Sequence, residues 1–511
     1  MHITTILIAV LASFWSAPAT AGCNSGINAS TDLLSTLNCQ GTATGFNSTA
    51  VGKTSEASGN YSTAYGSGSS ATQQGSTAIG QLSSATGDSS TATGISSSAF
   101  GIGSSAYGAA TVATGVGSSA FGIGALANQS GSTAIGGAIY DPLTFTYTTS
   151  AAAATGVNST AVGIASLASA NSSSAFGAGA RAAGIGSTAI GAGAGIFDPI
   201  AQTFATAGAN ASGASSTALG IASKASGDFS TANGSNSTAA GNYSSAYGNF
   251  STASGNSSSA YGDNSTANGA GSSAYGKNSN ASGNSSVAIG DTAQALKDGA
   301  IAVGVNSTAS GVNSIAIGAG AIATGSVAVG AAASASNGGA AFGDGASASG
   351  SLSSALGPNA QATAANSVAL GAGSVATQAN TVSVGSAGNE RRITNVAAGI
   401  NPTDAVNVSQ LGSIASGFQS QLSNLQGQVD TNRTEARRGV AAAMAMTTAP
   451  MPSAAGRTSW SANVANFQGQ TATGGALAHR LNTSVPLAVT AGYAYGGGNS
   501  HGTRVGLAGE F

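Results

Sequence analysis

Few residues of this chain are of a type and spacing to do chemistry. Beyond position 22 the sequence holds only two histidines, His479 and His501, both near the C-terminus and both within segments patterned like strands. An imidazole acts as base or ligand only with a second group in reach, so a lone histidine in such a strand reads as a wall or rim residue. Asp88, Asp228 and Asp263 fall at turn positions, where aspartate ordinarily bonds its own backbone. No glycine-rich stretch carries the lysine of a phosphate loop, and the regular aspartate of the calcium-binding nonapeptide is missing. The expectation is no catalytic residue, no cofactor and no metal. With 5% charged residues and a formal net charge of −2, the chain also lacks the basic footprint of a nucleic-acid binder.

The remaining reactive pair is Cys23 and Cys39. Ahead of it runs an apolar stretch, Ile3 to Trp15, too short to span a bilayer and followed by Pro18 and Ala19-Thr20-Ala21. This predicts a secretory signal over residues 1–21, although only His2 stands where a lysine or arginine is usual. Export favours a Cys23–Cys39 disulfide. Closing so short a loop contributes about 3 kcal/mol on the chain-entropy account, enough to pin an N-terminal cap over 22–42. Lipidation of Cys23 is the alternative, with Thr20 standing where it would require a large aliphatic residue.

The positioning element is an array. From Ala43 to Ala134 every seventh residue is alanine, and in twelve of these fourteen cases glycine follows two positions later. The same register holds from Ala211 to Ala288. The residue after the alanine alternates between apolar and polar units, with Val51, Tyr65, Ile79, Tyr107 and Phe121 against Thr44, Ser58, Thr72, Thr86 and Thr114. The repeat is therefore fourteen residues, two short strands and two turns per coil. Strand alternation turns Ala50 inward and Val51 outward, so a narrow interior belongs to alanine and glycine. The outward row, including Tyr247, Tyr261 and Tyr275, is left for another copy of the chain. Disorder, the low-complexity alternative, has no need of that alternation.

Two related inserts, near 137–153 and 192–210, break the array with an Ile-aromatic-Asp-Pro-aliphatic motif followed by Thr-Phe. Solenoid insertions map to loops on one face, often the binding face. A duplicated insert is also what a spacer would show, so the first reading is a hairpin that packs its aromatics back onto the roll; on the rival, binding reading, Tyr140, Phe145, Phe197 and Phe204 are the candidate ligand contacts. The array returns from Ala300 to Gly385 with more aliphatic members, giving a head over 43–387.

The grammar then changes to Asn389-Glu-Arg-Arg-Ile-Thr-Asn-Val-Ala-Ala-Gly399 and to Asp404-Ala-Val-Asn-Val-Ser-Gln-Leu411. This stretch resembles the neck of the YadA-like trimeric autotransporter adhesins (the type Vc secretion family). The resemblance implies a left-handed parallel β-roll head, a homotrimer, a neck over 388–411 that joins head to stalk, and adhesion at the cell surface to a matrix or cellular ligand.

Beyond the neck, Leu411, Ile414, Phe418, Leu422, Leu425, Val429, Arg433, Ala436 and Val440 recur at three, four and four. That eleven-residue period predicts a coiled-coil stalk over 412–440 with right-handed supercoil, and its seam needs partner helices. From about 458 the period becomes two. Val485, Leu487, Val489, Val505, Leu507 and Phe511 form lipid-facing rows opposite Ala488, Gly492, Gly506 and Ala508. Four strands cannot close in lipid, whereas three chains supply twelve, so 441–511 reads as one chain's share of a twelve-stranded membrane barrel. The expected protein is an all-β-headed, homotrimeric surface adhesin of a Gram-negative outer membrane. Its expected partners are outer-membrane lipid, the barrel assembly machinery and an extracellular-matrix or cell-surface ligand. A structural or ice-binding solenoid is the competing reading, carried by the hydroxyl rank of Thr49, Thr63, Thr77, Thr91 and Thr133 that Ser105 and Ser119 interrupt.

Overall fold

The computed structural model describes residues 41–511, apart from 139, 142–145, 148–149, 194–196, 199–202 and 205–206. The expected signal over 1–21, Cys23, Cys39 and Phe145 lie outside the described residues. Two compact units meet at the Arg391–Arg392 boundary.

The first unit is a parallel β-solenoid built from two sheets of 23 strands each. One sheet collects two-residue strands and the other, almost throughout, three-residue strands. Each strand pairs with its counterpart one coil later, as Thr49, Ala50 and Val51 do with Thr63, Ala64 and Tyr65, or Glu56 with Ser70. Alternation sets the faces: Ala64 is fully buried while Tyr65 next to it is 58% exposed. A continuous column of alanines from Ala57 to Ala376 forms the core. Serines fill the spaces between, and many satisfy themselves locally. Ser69 and Ser83 donate to the carbonyls of Gly66 and Gly80 at 2.8 and 2.9 Å, which removes the cost of burying a hydroxyl where no partner lies across the interior.

Glycine sets how closely coils approach. Gly248 has φ 129°, and a Cβ there would overlap the carbonyl oxygen of Gly262 in the next coil. The opposite freedom appears at the turns, which hold one residue each in left-handed backbone. Asparagine and glycine often occupy it, but Tyr61, Phe229, Tyr243 and Phe250 also do, at a cost of roughly 1–3 kcal/mol each for a bulky residue.

The fourteen-residue rule bends in two ways. Ile315 pairs with Val327 and Val327 with Ala340, coils of twelve and thirteen residues. The inserts instead leave the roll as antiparallel hairpins, Tyr140–Asp141 with Thr146–Tyr147 and Phe197–Asp198 with Thr203–Phe204. Both leave from the equivalent turn of their coils, the one that follows the long strand. The Ala152 N–H donates to the Gly136 carbonyl at 2.9 Å and the Ala209 N–H to the Gly191 carbonyl at 3.0 Å, so the turn closes beneath each hairpin. Stacking then continues, Thr133 on Thr160 and Thr188 on Thr217.

At its C-terminal end the roll is closed by Arg391. Its guanidinium donates to Ser374 Oγ at 2.8 Å, to the Val384 carbonyl at 2.6 Å and to the Ala372 carbonyl. A planar fork of donors suits a coil edge whose carbonyls no further strand will meet.

The second unit begins with a loop tied by Asp404. Its carboxylate accepts the N–H groups of Asn401 at 2.8 Å and Ile400 at 2.9 Å. Those two bonds, Asn401 foremost, hold its pKa below the ordinary carboxylate value. A helix, Val408–Ala445, follows, capped by Asn407 with the reciprocal Gln410 contact of a capping box. Leu411, Ile414, Phe418, Leu422, Leu425 and Val429 line it and are all more than half exposed in the single chain. Four antiparallel strands in sequence order complete the unit: Thr458–Phe467, Gln470–Arg480, Leu487–Tyr495 and His501–Gly509. One face of this sheet is small, and it packs Ala472 and Ala494 against Ala441, Ala442 and Ala445 of the helix. Ala449, beyond the helix, covers Ala476, Ala478 and Ala488.

The coil spacing yields a direct test. Gly248→Ala forces a Cβ onto the next backbone, so it should destabilise the head by about 1–3 kcal/mol. Thermal unfolding followed by the β signal in circular dichroism checks this, and an unchanged melting temperature would mean the coils can spread.

Candidate functional site

Among the described residues no His, Cys, Asp and Glu are grouped so as to hold a metal ion. The two histidines do not meet. His479 pairs with Val489, which pairs with Leu507, whereas His501 pairs with Tyr495 and so with Thr473. The two levels are six residues apart along the strands, about 20 Å. His479 Nδ1 lies 2.9 Å from Thr458 Oγ1, and the His501 ring sits 6.4 Å from that of Tyr493. What the chain presents instead is surface.

The first surface is the ladder of third residues on the long strands. Tyr65, Ile79, Tyr107, Phe121 and Ile135 stand between 38% and 58% exposed. Tyr247, Tyr261 and Tyr275 stack with ring centroids 4.8 and 5.0 Å apart and planes within 9° of parallel. Burial foremost, then the neighbouring Tyr247 and Tyr275, raises the Tyr261 pKa above the usual value of 10.0. Thr93 and Asn233 are polar interruptions in the row. The adjacent hydroxyl rank is half-buried at Thr63, Thr77, Thr91 and Thr133 and exposed at Thr49 in the first coil.

The second surface is the pair of hairpins. Their backbones place Tyr140 opposite Tyr147 and Phe197 opposite Phe204. The coils between them run from Thr133 through Thr160 and Ser174 to Thr188. Three strand spacings separate the two emergence points, about 14 Å along the roll.

The third is the outer face of the C-terminal sheet. Val485, Val505 and Leu507 are 54%, 77% and 70% exposed, Val489 is 38% exposed, Leu487 is half-buried, and Phe511 is fully exposed. Trp460, Val464 and Leu477 join them, each more than half exposed. Leu477 lies between Trp460 and Ala491, whose other neighbour is Val505, so one apolar row crosses all four strands. The alternation Trp460-Ala462-Val464 was the available sequence signal for the first strand. On the inner face Gly474 touches the helix end: a Cβ there would overlap the Ala445 carbonyl oxygen. Arg438 of the helix donates to Gln470 Oε1 at 3.0 Å. Among the described residues no helix is long and apolar enough to cross a membrane, which says nothing of a β-barrel.

A parallel β-solenoid with an apolar outer ladder, a helix with an uncovered apolar row and an open strand sheet together define a repeat-built surface protein. The YadA head domain repeat matches sixteen segments between residues 43 and 387 that together span more than half of the chain, and the coiled stalk of trimeric autotransporter adhesins matches 392–434. The chain belongs to the YadA-like trimeric autotransporter adhesins, and by class it is a surface adhesin. The stretches between repeat matches are informative: 139–153 and 195–210 hold the two hairpins, and 322–347 covers most of the two short coils. Among solved structures the chain is similar to the collagen-binding domain of the Yersinia adhesin YadA, at 24% identity over 56% of this chain and 97% of that one, with a TM-score of 0.13.

Two outcomes follow from the geometry. Gly474→Ala should unseat the helix from the sheet and lower the amount of correctly assembled protein, read as loss of heat-modifiable oligomer on gels; full assembly would mean that the helix does not sit so close. Tyr261 has a raised pKa when folded. Its contribution is therefore complete below the unfolded value of about 10 and is lost as the pH rises through the folded value. Melting of the head should fall in that alkaline window, and changing Tyr247, Tyr261 and Tyr275 to Phe should flatten the dependence.

Proposed function

We propose that three copies of this chain form an outer-membrane-anchored adhesin of a Gram-negative bacterium. In it twelve strands make a barrel that anchors the stalk and head and assists their export. The observation that carries this reading is the C-terminal sheet, whose four strands have one apolar face, one face of small residues packed on a helix, and two unpaired edges. Unpaired edges are not tolerated in hydrocarbon, and twelve strands exceed the minimum of about eight for known barrels. Val485, Leu487, Val489, Val505, Leu507 and Phe511 would then face lipid, together with Trp460, Val464 and Leu477. The barrel assembly machinery would be a transient partner.

The exposed seam of the helix supports the same stoichiometry, since apolar residues at three-four spacing gain little unless partner helices cover them. In the head, Tyr247, Tyr261 and Tyr275 would face a neighbouring chain. The two hairpins are where large side chains leave the repeat, so Tyr140, Phe145, Phe197 and Phe204 are the proposed contacts to a matrix or cell-surface ligand. Three linked copies would raise avidity by on the order of 10²–10⁴ over single sites, and the sparse charge of the chain predicts that binding survives moderate salt.

The full chain should run as a trimer that resists mild detergent and separates on boiling; a stable monomer would end this reading. Val489→Lys should destabilise the anchor by roughly 2–4 kcal/mol if it lies near the bilayer midplane. Changing Tyr247, Tyr261 and Tyr275 to Ser should weaken association of the heads while keeping the β signal. If that triple change unfolded the roll and spared the oligomer, inside and outside would be reversed. Excising both hairpins should reduce adhesion of displaying cells to matrix-coated and cell surfaces, and unchanged adhesion would move the contact to the faces of the coils.

A further inference from the structure

A second group of aromatic rings stands apart from both the tyrosine ladder and the hairpins. In each turn that leads into a long strand, one residue adopts left-handed backbone; asparagine, glycine or serine takes this place in most coils, as at Asn47, Gly75, Ser89 and Asn158, and Leu352 takes it once. At Phe229 and Tyr243 an aromatic residue takes it instead, with φ of 56° and 59°. Strain kept at a surface turn that asparagine would relieve points to a use for the rings. The two stack with centroids 5.1 Å apart and planes 5° from parallel, and they are 54% and 64% exposed. The coil before and the coil after put Ser215 and Ser257 at the equivalent position, both exposed. The outer face of each ring is therefore left open by its neighbour.

Beside the rings runs a ladder of side-chain oxygens. Asp228 Oδ1 accepts the Ala214 N–H at 2.9 Å, Asn242 Oδ1 the Asp228 N–H at 3.0 Å, and Asn256 Oδ1 the Asn242 N–H at 3.1 Å. These bonds fix the three side chains and leave the Nδ2 groups of Asn242 and Asn256 as donors and the second Asp228 oxygen as an acceptor. Flat apolar faces flanked by fixed donors and an acceptor, one coil apart, match one class of ligand.

We propose that this turn patch binds a neutral pyranose of a surface glycan. One face of such a ring presents C–H groups that stack on an aromatic face, and its rim of hydroxyls needs both donors and acceptors. The next coil carries its amide about 4.8 Å along the roll, within a sugar's own width of the Tyr243 face. Asp228 opposes an anionic sugar by like-charge repulsion. The combination recurs near the start of the roll: Tyr61, at φ 58°, meets Phe46 edge-to-face at 5.7 Å, and Asn60 Oδ1 accepts the Phe46 N–H at 2.9 Å.

The test uses the full-length oligomer in detergent on an array of neutral and sialylated oligosaccharides, followed by retention on immobilised N-acetyllactosamine and its sialylated form. Neutral saccharides should be retained, and the sialylated form several-fold less. Phe229→Asn and Tyr243→Asn place the turn's ordinary residue, so each should melt at the same or a higher temperature with the oligomer intact. Each should nevertheless lower retention by about tenfold. Removing both hairpins should leave retention unchanged. The proposal is overturned if the parent retains no neutral saccharide, if Tyr243→Asn retains it equally, or if either variant dissociates the oligomer, which would make the patch a subunit contact. Cells that still adhere through the hairpins while retaining no saccharide would sink this site and leave the adhesin reading standing.

Discussion

The close stacking of backbone on backbone is the constraint from which the rest of the head follows. Gly248 lies against the Gly262 carbonyl of the next coil, and the interior between the two sheets holds alanine and serine, with Thr111 the largest side chain buried there. Burying a methyl group gains little compared with burying a leucine or phenylalanine. The chain compensates by number: each coil adds two more strands to continuous ladders, so stability accumulates along the roll rather than at a centre. Its larger apolar residues have no inside to enter and must sit on the outer faces and turns.

That displacement explains why a single chain looks unfinished. The ladder through Tyr247, Tyr261 and Tyr275, the helix row through Leu411, Phe418 and Leu425, and the sheet face through Trp460, Leu477 and Val505 all carry apolar area that the chain itself does not cover. Different media can cover them. Packing against equivalent side chains suits stacked rings and a helical seam, whereas a sheet face uniform across four strands suits lipid. Small residues on the inner sheet face serve the helix, since Ala472 and Ala494 let Ala441 and Ala445 approach where larger side chains would hold them off.

Much of this was legible in the sequence because periodicity and side-chain direction are linked by geometry. The alternation of Val51 and Tyr65 with Thr44 and Ser58 contained the fourteen-residue coil and the outward row, and the matching strand pairs carry it in register. Other features depend on contacts that spacing does not encode. That the two inserts leave from equivalent turns is visible only in the hydrogen bonds closing beneath them, Ala152 to Gly136 and Ala209 to Gly191. The pairing of Asn407 with Gln410 has the Asn-x-x-Gln spacing of a capping box, but it lies just ahead of the three-four pattern that begins at Leu411. Trp460, Val464 and Leu477 alternate as Val485, Leu487 and Val489 do, but polar neighbours dilute the pattern.

The turn aromatics were missed for a different reason. Periodicity weighs a residue by its hydrophobicity, and on that scale Phe229 and Tyr243 are merely apolar residues out of step. Their meaning lies in the backbone angle they accept, because a position that asparagine fills elsewhere costs more with a ring on it. A repeat protein makes such exceptions readable, since most other coils, with asparagine, glycine or serine there, state what the position requires for folding alone. Where a residue departs from that requirement in a costly direction and reaches solvent, the fold has no use for the departure, and its explanation belongs to whatever the surface meets.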